Sequence, residues 1–324
     1  MKKSLIVMIL LAGLLTGCSL ADMSATMKAD RYMESGDYRQ AETEFREVVR
    51  ERPDSPLAHY YLGRFLMAQH KSAEALPQFQ RAVALAPDNA DYHFWLGVTF
   101  GELGDGKSEQ AQYEQALLFD KHHAQAHLYL GHILLKNGNL QEAIKSYDAV
   151  LKEMPTNGAA LYNRALILDM ERKQVEARKA WLEYLKWFPA GKFARQATEH
   201  LNALGDFSYE NQYIGRRTVT LAEIKFVRSG KEVDASAKPS LSLLGTIAAN
   251  LGKGYVQVVV YVDKNQELAK ERALKVKKTL NELVPELNPE RIRVSWFDVP
   301  EKITINQKEY VRPEAVRIFF TDWQ

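Results

Sequence analysis

Small, aromatic and proline residues recur along residues 22–191 with a period of 34. Rows of 34 residues that begin at Asp22 keep the same residue type in several columns through five rows. Column 8 is small (Ala29, Gly63, Gly97, Gly131, Ala165), column 24 is aromatic (Phe45, Phe79, Tyr113, Tyr147, Trp181), and column 32 is proline in four rows (Pro53, Pro87, Pro155, Pro189). Column 20 is alanine in four rows (Ala41, Ala75, Ala143, Ala177) and Glu109 in the third. Five rows in phase without an insertion indicate an array of structural repeats.

Each row predicts a pair of antiparallel helices. A small residue lets two helices cross closely, an aromatic residue on the second helix fills the space beside it, and proline lets the next repeat begin afresh. This pattern resembles the tetratricopeptide repeat, a helix pair of 34 residues. We therefore expect residues 22–205 to form an all-α solenoid of five helix pairs, with residues 192–204 as a cap helix that ends at Gly205. Glu109, in a column of alanines, predicts a looser turn between the helices of the third repeat.

The resemblance also implies a partner groove, because members of this family hold peptide segments on the face formed by their first helices. Columns 5, 9 and 12 face the partner in the family. Here they supply the candidate groove residues Tyr60, Arg64, Phe94, Leu128, His132 and Tyr162. The Lys and Asn residues that hold a terminal carboxylate in chaperone-binding members are absent from these columns, and the apolar column 5 favours an amphipathic helix or an extended apolar segment. The alternative is that the column 5 side chains pack against neighbouring repeats.

After Asp206 the hydrophobic pattern changes from helical periodicity to shorter mixed runs. The pattern predicts strands at residues 218–227, 255–262, 291–297 and 315–320, and helices at residues 238–251 and 268–283. Residues 206–324 are therefore expected to form a small α+β domain of β-α-β-α-β-β order, in which two helices back one sheet.

This second region resembles the OmpA-like cell-wall-binding domain. The strand VQVVVYV ends at Asp263, and the next helix contains the run LAKERALKV with Arg272 at its centre. The resemblance implies that Asp263 accepts from the ammonium of the diaminopimelate in peptidoglycan, and that Arg272 binds its carboxylate.

Several residues depart from the OmpA-like pattern. Val260-Tyr261-Val262 replaces the family's Gly-His-Thr before the aspartate, and Pro313-Glu314-Ala315 replaces its Asn-Arg-Arg. Asp263 and Arg272 are nine residues apart, closer along the chain than in the family. The shorter loop is expected to let these two side chains pair with each other. The domain either retains wall binding or serves protein contacts.

The first residues have the pattern of a signal peptide. Lys2 and Lys3 precede an apolar stretch at residues 5–15. Eleven residues at about 1.5 Å each cannot span a bilayer core of roughly 30 Å, so a transmembrane helix is excluded for this stretch. Residues 1–17 are therefore expected to be a signal peptide.

The end of this segment, Leu15-Thr16-Gly17-Cys18, resembles the bacterial lipobox. The resemblance implies cleavage before Cys18 and lipid on its sulfur and amine, which makes residues 18–21 a lipidated N-terminus. Three acyl chains are enough for stable anchoring. Ser19, where aspartate would signal retention in the inner membrane, implies an outer-membrane position facing the periplasm. A plain secretory signal with an incidental cysteine is the alternative.

Composition excludes several classes of function. The chain is 46% hydrophobic and 26% charged, as in globular proteins, and its 43 Lys and Arg fall to 41 without residues 1–17, equal to its 41 Asp and Glu. This balance argues against a nucleic-acid-binding protein that relies on bulk positive charge. Cys18 is the only cysteine, so the chain has no internal disulfide and no cysteine-based zinc site.

The sequence also lacks the motifs of an enzyme. It has no paired carboxylates, nucleophile elbow, zinc-ligand spacing or phosphate loop. His122, His123 and His127 are close together but have no carboxylate or cysteine at ligand spacing, so they are expected to be solvated turn residues. We expect no catalytic activity, no metal and no cofactor other than the covalent lipid on Cys18.

These features predict an outer-membrane lipoprotein with a periplasmic repeat scaffold that binds a protein segment. Lipidated tetratricopeptide proteins of pilus systems are similar, which implies a role in a pilus or secretion machine. The alternative is a peptidoglycan-binding cell-wall anchor in which the repeats are a spacer.

Overall fold

The structure is a computed structural model that describes residues 22–214 and 217–321. The predicted signal peptide and the lipidation site at Cys18 lie outside the described residues. Backbone contacts divide the chain between Pro155 and Thr156 into two compact units. The first unit therefore contains four repeats, and the second contains the fifth repeat and the C-terminal region.

The first unit consists of helix pairs, as the 34-residue period predicts. Its helices are α1 (22–35), α2 (Tyr38–Glu51), α3 (Pro56–Ala68), α4 (Ser72–Leu85), α5 (Ala90–Glu102), α6 (Gly106–Phe119), α7 (Ala124–Lys136) and α8 (Leu140–Glu153). Polar residues in column 34 are the N-caps of the first helices of the repeats. The side chains of Ser55, Asn89 and His123 each accept a hydrogen bond from the backbone N–H three residues later. Helix α4 continues through Pro77.

The predicted close crossing of the two helices at column 8 is confirmed within this unit, and the residue that column 8 meets is the aromatic residue of column 24. A Cβ added to Gly63 would lie 2.8 Å from the Phe79 ring, and one added to Gly97 would lie 2.7 Å from the Tyr113 ring. Gly131 is equally close to the Tyr147 ring, at 2.9 Å. Because all three rings are fully buried, only glycine fits opposite them.

The expected looser turn at Glu109 is wrong. The turn between α5 and α6 is closed by the Asp105 N–H, which donates to the Phe100 carbonyl at 2.9 Å, as Lys71 donates to Leu66 at 2.9 Å in the preceding repeat. Gly101 explains how the larger side chain fits, since a Cβ at this position would lie 2.6 Å from Oε1 of Glu109. Because Gly101 in column 12 has no side chain, there is space for the larger side chain of Glu109 in column 20.

The second unit begins with helices and ends with an α+β domain. Its elements are α9 (Gly158–Met170), α10 (Gln174–Trp187), α11 (Lys192–Ala203), β1 (Tyr209–Ile214), β2 (Arg217–Ala222), α12 (Lys238–Asn250), β3 (Tyr255–Val262), α13 (Gln266–Leu283), β4 (Ile292–Phe297), β5 (Glu301–Ile305), β6 (Lys308–Arg312) and β7 (Glu314–Thr321). The cap helix ends before Gly205 as predicted, with a φ of 81° at this glycine.

Helix α11 is hydrogen-bonded to the α+β domain within this unit. The Asn202 side chain donates to the carbonyls of Asp206 and Tyr209 at 2.8 Å, and the Tyr310 hydroxyl donates to the Ala203 carbonyl at 2.9 Å. The helix therefore caps the repeats on one side and contacts the domain on the other.

The predicted sheet backed by two helices is present. Its strand order is β4-β3-β7, with β3 parallel to β4 and antiparallel to β7. Alternate valines of β3 (Val256, Val258, Val260, Val262) are buried in one cluster with side chains of α12 and α13. This alternation is what a strand with one covered face requires.

Three strands of this region were not predicted. Strand β1 pairs with β2, and β5 forms a hairpin with β6. A cluster of charged side chains joins these strands to β7, since Arg312 pairs with Glu210, Glu223 and Glu301 while Arg317 pairs with Glu210 and Glu301. Burial raises the pKa of Glu210, although the charges of Arg317 and Arg312 act to lower it.

Candidate functional site

A cleft lies between the first helices of the second, third and fourth repeats. Its volume is about 370 Å³. Side chains from α3, α5 and α7 and the residue that caps α7 line it: Tyr60, Arg64, Asp91, Phe94, Trp95, Val98, His123, Gln125 and Tyr129. The structure thus brings together Tyr60, Arg64 and Phe94 of the predicted groove.

The column 5 rings are mostly buried, whereas the column 6 rings face the cleft. Tyr60 is 9% exposed and Phe94 is 5% exposed, and each packs against several neighbouring rings. Trp95 is half-buried and Tyr129 is 40% exposed. Column 5 therefore belongs to the core as well as to the wall of the cleft, and the accessible aromatic surface belongs to column 6.

Column 6 was not among the predicted groove columns, although its aromatic residues form a pattern in the sequence. Tyr61, Trp95 and Tyr129 occupy it in three successive rows. Together with columns 2 and 9, which supply Asp91 and Arg64, column 6 forms a helix face with spacings of four and three residues. Helical geometry starting from Arg64, a predicted groove residue, selects this face.

Arg64 is held between aromatic rings. Its guanidinium carbon lies 3.9 Å from the centre of the Trp95 ring, and its Nη1 donates to the Tyr60 hydroxyl at 2.6 Å. A guanidinium over an aromatic face is stabilised by the ring quadrupole, and the rings restrict its movement. The cation is thus oriented before any partner binds.

His123 and Asp91 form the opposite wall. The Ala126 N–H donates to Nδ1 of His123, so Nδ1 is unprotonated and Nε2–H is the donor to Asp91 Oδ1, at 3.2 Å. This hydrogen bond, and then the Arg64 charge, hold the pKa of Asp91 below its usual value. His123 is 8% exposed, so the expectation that it is a solvated turn residue is wrong: it caps a helix and orients Asp91.

The remaining predicted groove residues do not line this cleft. Leu128 is half-buried on α7, and His132 is exposed beside the rings of Tyr129 and Tyr147. Tyr162 lies in the second unit, where its ring packs against Trp181, Tyr184 and Phe193.

Arg272 lines a separate cleft of about 190 Å³ in the second unit. The side chain is 1% exposed, its Nη1 pairs with Glu314 Oε2 at 2.9 Å, and its Nε donates to the Gly230 carbonyl at 2.8 Å. The Phe226 ring covers the guanidinium, with 4.4 Å from its centre to the guanidinium carbon. The expected pairing with Asp263 is wrong, because Glu314 of β7 occupies the place beside Arg272.

Asp263 is exposed at the end of β3 and is not part of the Arg272 cleft. Its backbone N–H donates to the Pro313 carbonyl at 2.7 Å. The structure therefore does not bring together the two residues of the predicted peptidoglycan site.

Within residues 22–214 and 217–321, no group of three or more His, Cys, Asp or Glu side chains is arranged to hold a metal ion. No helix in the same ranges has the length and apolar character needed to cross a membrane.

Comparison with known proteins supports the repeat fold. Tetratricopeptide repeat families match residues 32–97, 101–158 and 130–194. The sequence has no match among curated proteins. The helical part of the chain is a tetratricopeptide-repeat solenoid, followed by a small domain with strands.

Solved structures with the same fold include PilF of Pseudomonas aeruginosa, which is 17% identical over 58% of this chain and 90% of that protein, with a TM-score of 0.51. PilW, described as a widely conserved type IV pilus biogenesis factor, is 19% identical over 56% of this chain and 86% of its own, with a TM-score of 0.49. YrrB, described as a TPR protein with an unusual peptide-binding site, is 19% identical over 53% and 88% of the two chains, with a TM-score of 0.46. At these identities the likeness concerns the fold.

Proposed function

We propose that this protein is an outer-membrane lipoprotein whose periplasmic repeats hold a segment of a partner protein in an envelope machine of the pilus or secretion type. The open cleft lined by Trp95, Val98 and Tyr129 carries the proposal. Accessible aromatic and aliphatic side chains with a few fixed polar groups are typical of peptide-binding surfaces.

The anchoring part of the proposal depends on the lipobox around Cys18. A lipid anchor places the repeats beside a membrane, and a cleft that binds one segment then acts at an increased local concentration. The pilus or secretion class comes from the resemblance to lipidated repeat proteins of such systems.

The test is site-specific photo-cross-linking in cells that produce the protein. A benzophenone amino acid at Val98 or Tyr129 should form an adduct with a single envelope protein, because both side chains face the cleft. The same amino acid at Arg81, on the second helix of the second repeat, is the matched control. Adducts only from position 81, or none from the cleft positions, would exclude this cleft as the binding site.

The alternative function is a cell-wall anchor in the α+β domain. Arg272 is a cation beside a cleft, as wall recognition requires, but Glu314 already neutralises it and Asp263 lies elsewhere. We therefore rank the scaffold function first.

A further inference from the structure

We infer that the cleft selects a partner segment that carries an acidic side chain beside apolar ones, with the carboxylate bound by Arg64. The inference rests on the proposed function, because it names the chemistry of the segment held in the same cleft. The apolar column 5 by itself indicated only a hydrophobic segment.

Arg64 forms no ion pair with a carboxylate in the described part of the chain. Its contacts there are the Tyr60 hydroxyl and the faces of the Tyr60 and Trp95 rings. Four other arginines of the first unit pair with carboxylates (Arg46, Arg50, Arg52 and Arg81), as Arg81 does with Asp54 at 2.6 Å. The Arg64 charge is therefore available to a partner.

The geometry favours a carboxylate as the ligand of Arg64. A guanidinium has five N–H donors, and Tyr60 uses one of those of Arg64. A carboxylate accepts two parallel hydrogen bonds from such a fork, and charged hydrogen bonds of this kind are shorter and stronger than neutral ones. The Trp95 ring holds the fork in place, so little side-chain entropy is lost on binding.

Asp91 does not fill this role for Arg64. Its Oδ1 accepts from His123, at 3.2 Å, and no ion pair joins it to Arg64 among the residues that the structure describes. Its negative charge is still close enough to Arg64 for the two to interact. We therefore expect Asp91 to weaken the binding of an acidic segment and so to limit its affinity.

The apolar part of the segment lies toward α7. Phe94 and Val98 line the cleft beyond Trp95, and Tyr129 follows on the next first helix. First helices of adjacent repeats are about 10 Å apart, so a segment that reaches from Arg64 to Tyr129 crosses two such intervals. Because α1 continues the same helix layer on the other side of Arg64, the segment runs past this residue, and the carboxylate comes from a side chain within it.

The experiment is a selection of random 12-residue peptides, displayed on phage, against the full chain purified in detergent. Peptides selected by the wild-type protein should contain one Asp or Glu beside a run of aromatic or aliphatic residues, on the same side of it in most of the peptides. Selection against Arg64→Met should lose the acidic residue and keep the apolar ones. Arg81→Met, which removes an arginine from the second helix, should select the same peptides as the wild type.

Calorimetric titration of the most frequent peptide then measures the contact. Replacing its acidic residue with the amide should weaken binding to the wild type about tenfold or more, and should not change binding to Arg64→Met. Moving the carboxylate to the C-terminus of the amide peptide should not restore binding. Asp91→Asn should tighten binding of the acidic peptide, and circular dichroism should confirm that each variant is folded.

The outcomes separate this inference from the proposed function. One outcome is a set of competing peptides that no longer bind to Val98→Glu and that contain no acidic residue. This outcome would overturn the inference, and the proposed scaffold function would still be supported. Restoration of binding by a terminal carboxylate would also overturn it. If no selected peptide is lost with Val98→Glu, the cleft is not a peptide site and the proposed function fails as well.

Discussion

At the scale of single residues, the exposure of a ring decides whether it stabilises the repeats or meets a partner. Tyr60 and Tyr129 both line the cleft, yet Tyr60 is 9% exposed and Tyr129 is 40% exposed. Truncation of a buried aromatic removes its transfer free energy and leaves a cavity. Truncation of an exposed one affects mainly whatever binds to it.

We therefore expect Tyr60→Ala to lower the free energy of unfolding by about 3 to 5 kcal/mol. Tyr129→Ala should hardly change stability and should weaken partner binding by about 1 to 3 kcal/mol. Thermal unfolding by circular dichroism and titration with the selected peptide, on the same two variants, check this. A stable Tyr60→Ala protein with reduced affinity would instead place column 5 in the binding surface.

The Gly101 and Glu109 pair is also a single-residue feature with a measurable consequence. Burial raises the pKa of Glu109, although Tyr113 donates a hydrogen bond to it at 3.1 Å. Between the usual pKa of 4.5 and the raised one, the unfolded chain ionises at Glu109 before the folded protein does. Folding stability is therefore lost as the pH rises through this interval.

Glu109→Gln should remove this loss of folding stability at higher pH. The variant is expected to be about as stable as the wild type near pH 4 and more stable at pH 8, since the amide oxygen can still accept from Tyr113. Denaturant unfolding at the two pH values measures the difference. A variant that is less stable than the wild type at pH 8 would show that the carboxylate charge is stabilising.

At the scale of elements, the helix pairs of the second, third and fourth repeats are each joined by the contact of a glycine with an aromatic ring. Tyr113 is fully buried, and a Cβ at Gly97 would lie 2.7 Å from it. The ring cannot move away without displacing the residues around it, because protein interiors are close-packed.

Gly97→Ala is expected to lower the free energy of unfolding by about 1 to 3 kcal/mol. Gly106→Ala is the control, because nothing lies within 4 Å of a Cβ at that position. Tyr113→Leu should reduce the cost of Gly97→Ala, and the double-mutant cycle measured by chemical denaturation gives the coupling. Equal costs for Gly97→Ala with and without Tyr113 would mean that the two side chains do not share this space.

Two histidines that are one repeat period apart make equivalent hydrogen bonds. Nε2 of His59 contacts the Pro53 carbonyl at 3.0 Å, and its Nδ1 contacts the Gln78 side chain at 2.8 Å. His93, one period later, makes the same contacts with Pro87 and Gln112. These residues recur 34 positions apart, so the column pattern could have identified the pairs from the sequence.

The strands of the α+β domain were predictable to different degrees. Strand β3 is a run of β-branched residues and was located at its observed bounds. Strand β1 contains Glu210, Asn211 and Gln212, which have weak strand preference, and the β5–β6 turn uses Asn306 and Gln307 at positive φ without glycine. Pairing with distant strands, rather than local preference, places these elements in sheets.

At the scale of the whole molecule, the proposed membrane anchoring depends on Cys18. Cys18→Ala should leave the protein uncleaved or soluble, because the lipidated residue is absent. Separation of inner and outer membranes followed by immunoblotting measures this. Full retention of Cys18→Ala in the outer-membrane fraction would contradict the lipoprotein assignment, and Ser19→Ala should fractionate as the wild type does.

The wall-binding alternative is tested on the full chain with purified peptidoglycan. We expect weak or no co-sedimentation, because Glu314 neutralises the buried Arg272. Arg272→Ala should cost about 2 to 5 kcal/mol of stability, because it removes a side chain that is 1% exposed and leaves a cavity. Asp263→Ala should cost less than about 0.5 kcal/mol, since its side chain is exposed. Strong co-sedimentation abolished by either variant would make the cell-wall anchor the better function.

The sequence by itself determined the features that depend on nearby residues. The period of 34 located the helix pairs, the small residues of column 8 predicted where the two helices cross closely, and a run of β-branched residues predicted strand β3. These patterns indicate the local backbone preference and the buried face of an element. Both depend on residues within one or two helical turns or within one strand.

Only the tertiary structure decided which side chains meet across long stretches of chain. Arg272 pairs with Glu314, 42 residues later, and Arg312 pairs with Glu210, 102 residues earlier. A shift of one column also separates the buried ring of Phe94 from the accessible ring of Trp95. Because one residue turns a helix by about 100°, the packing angle of neighbouring helices decides which of two adjacent rings is the more exposed in the cleft.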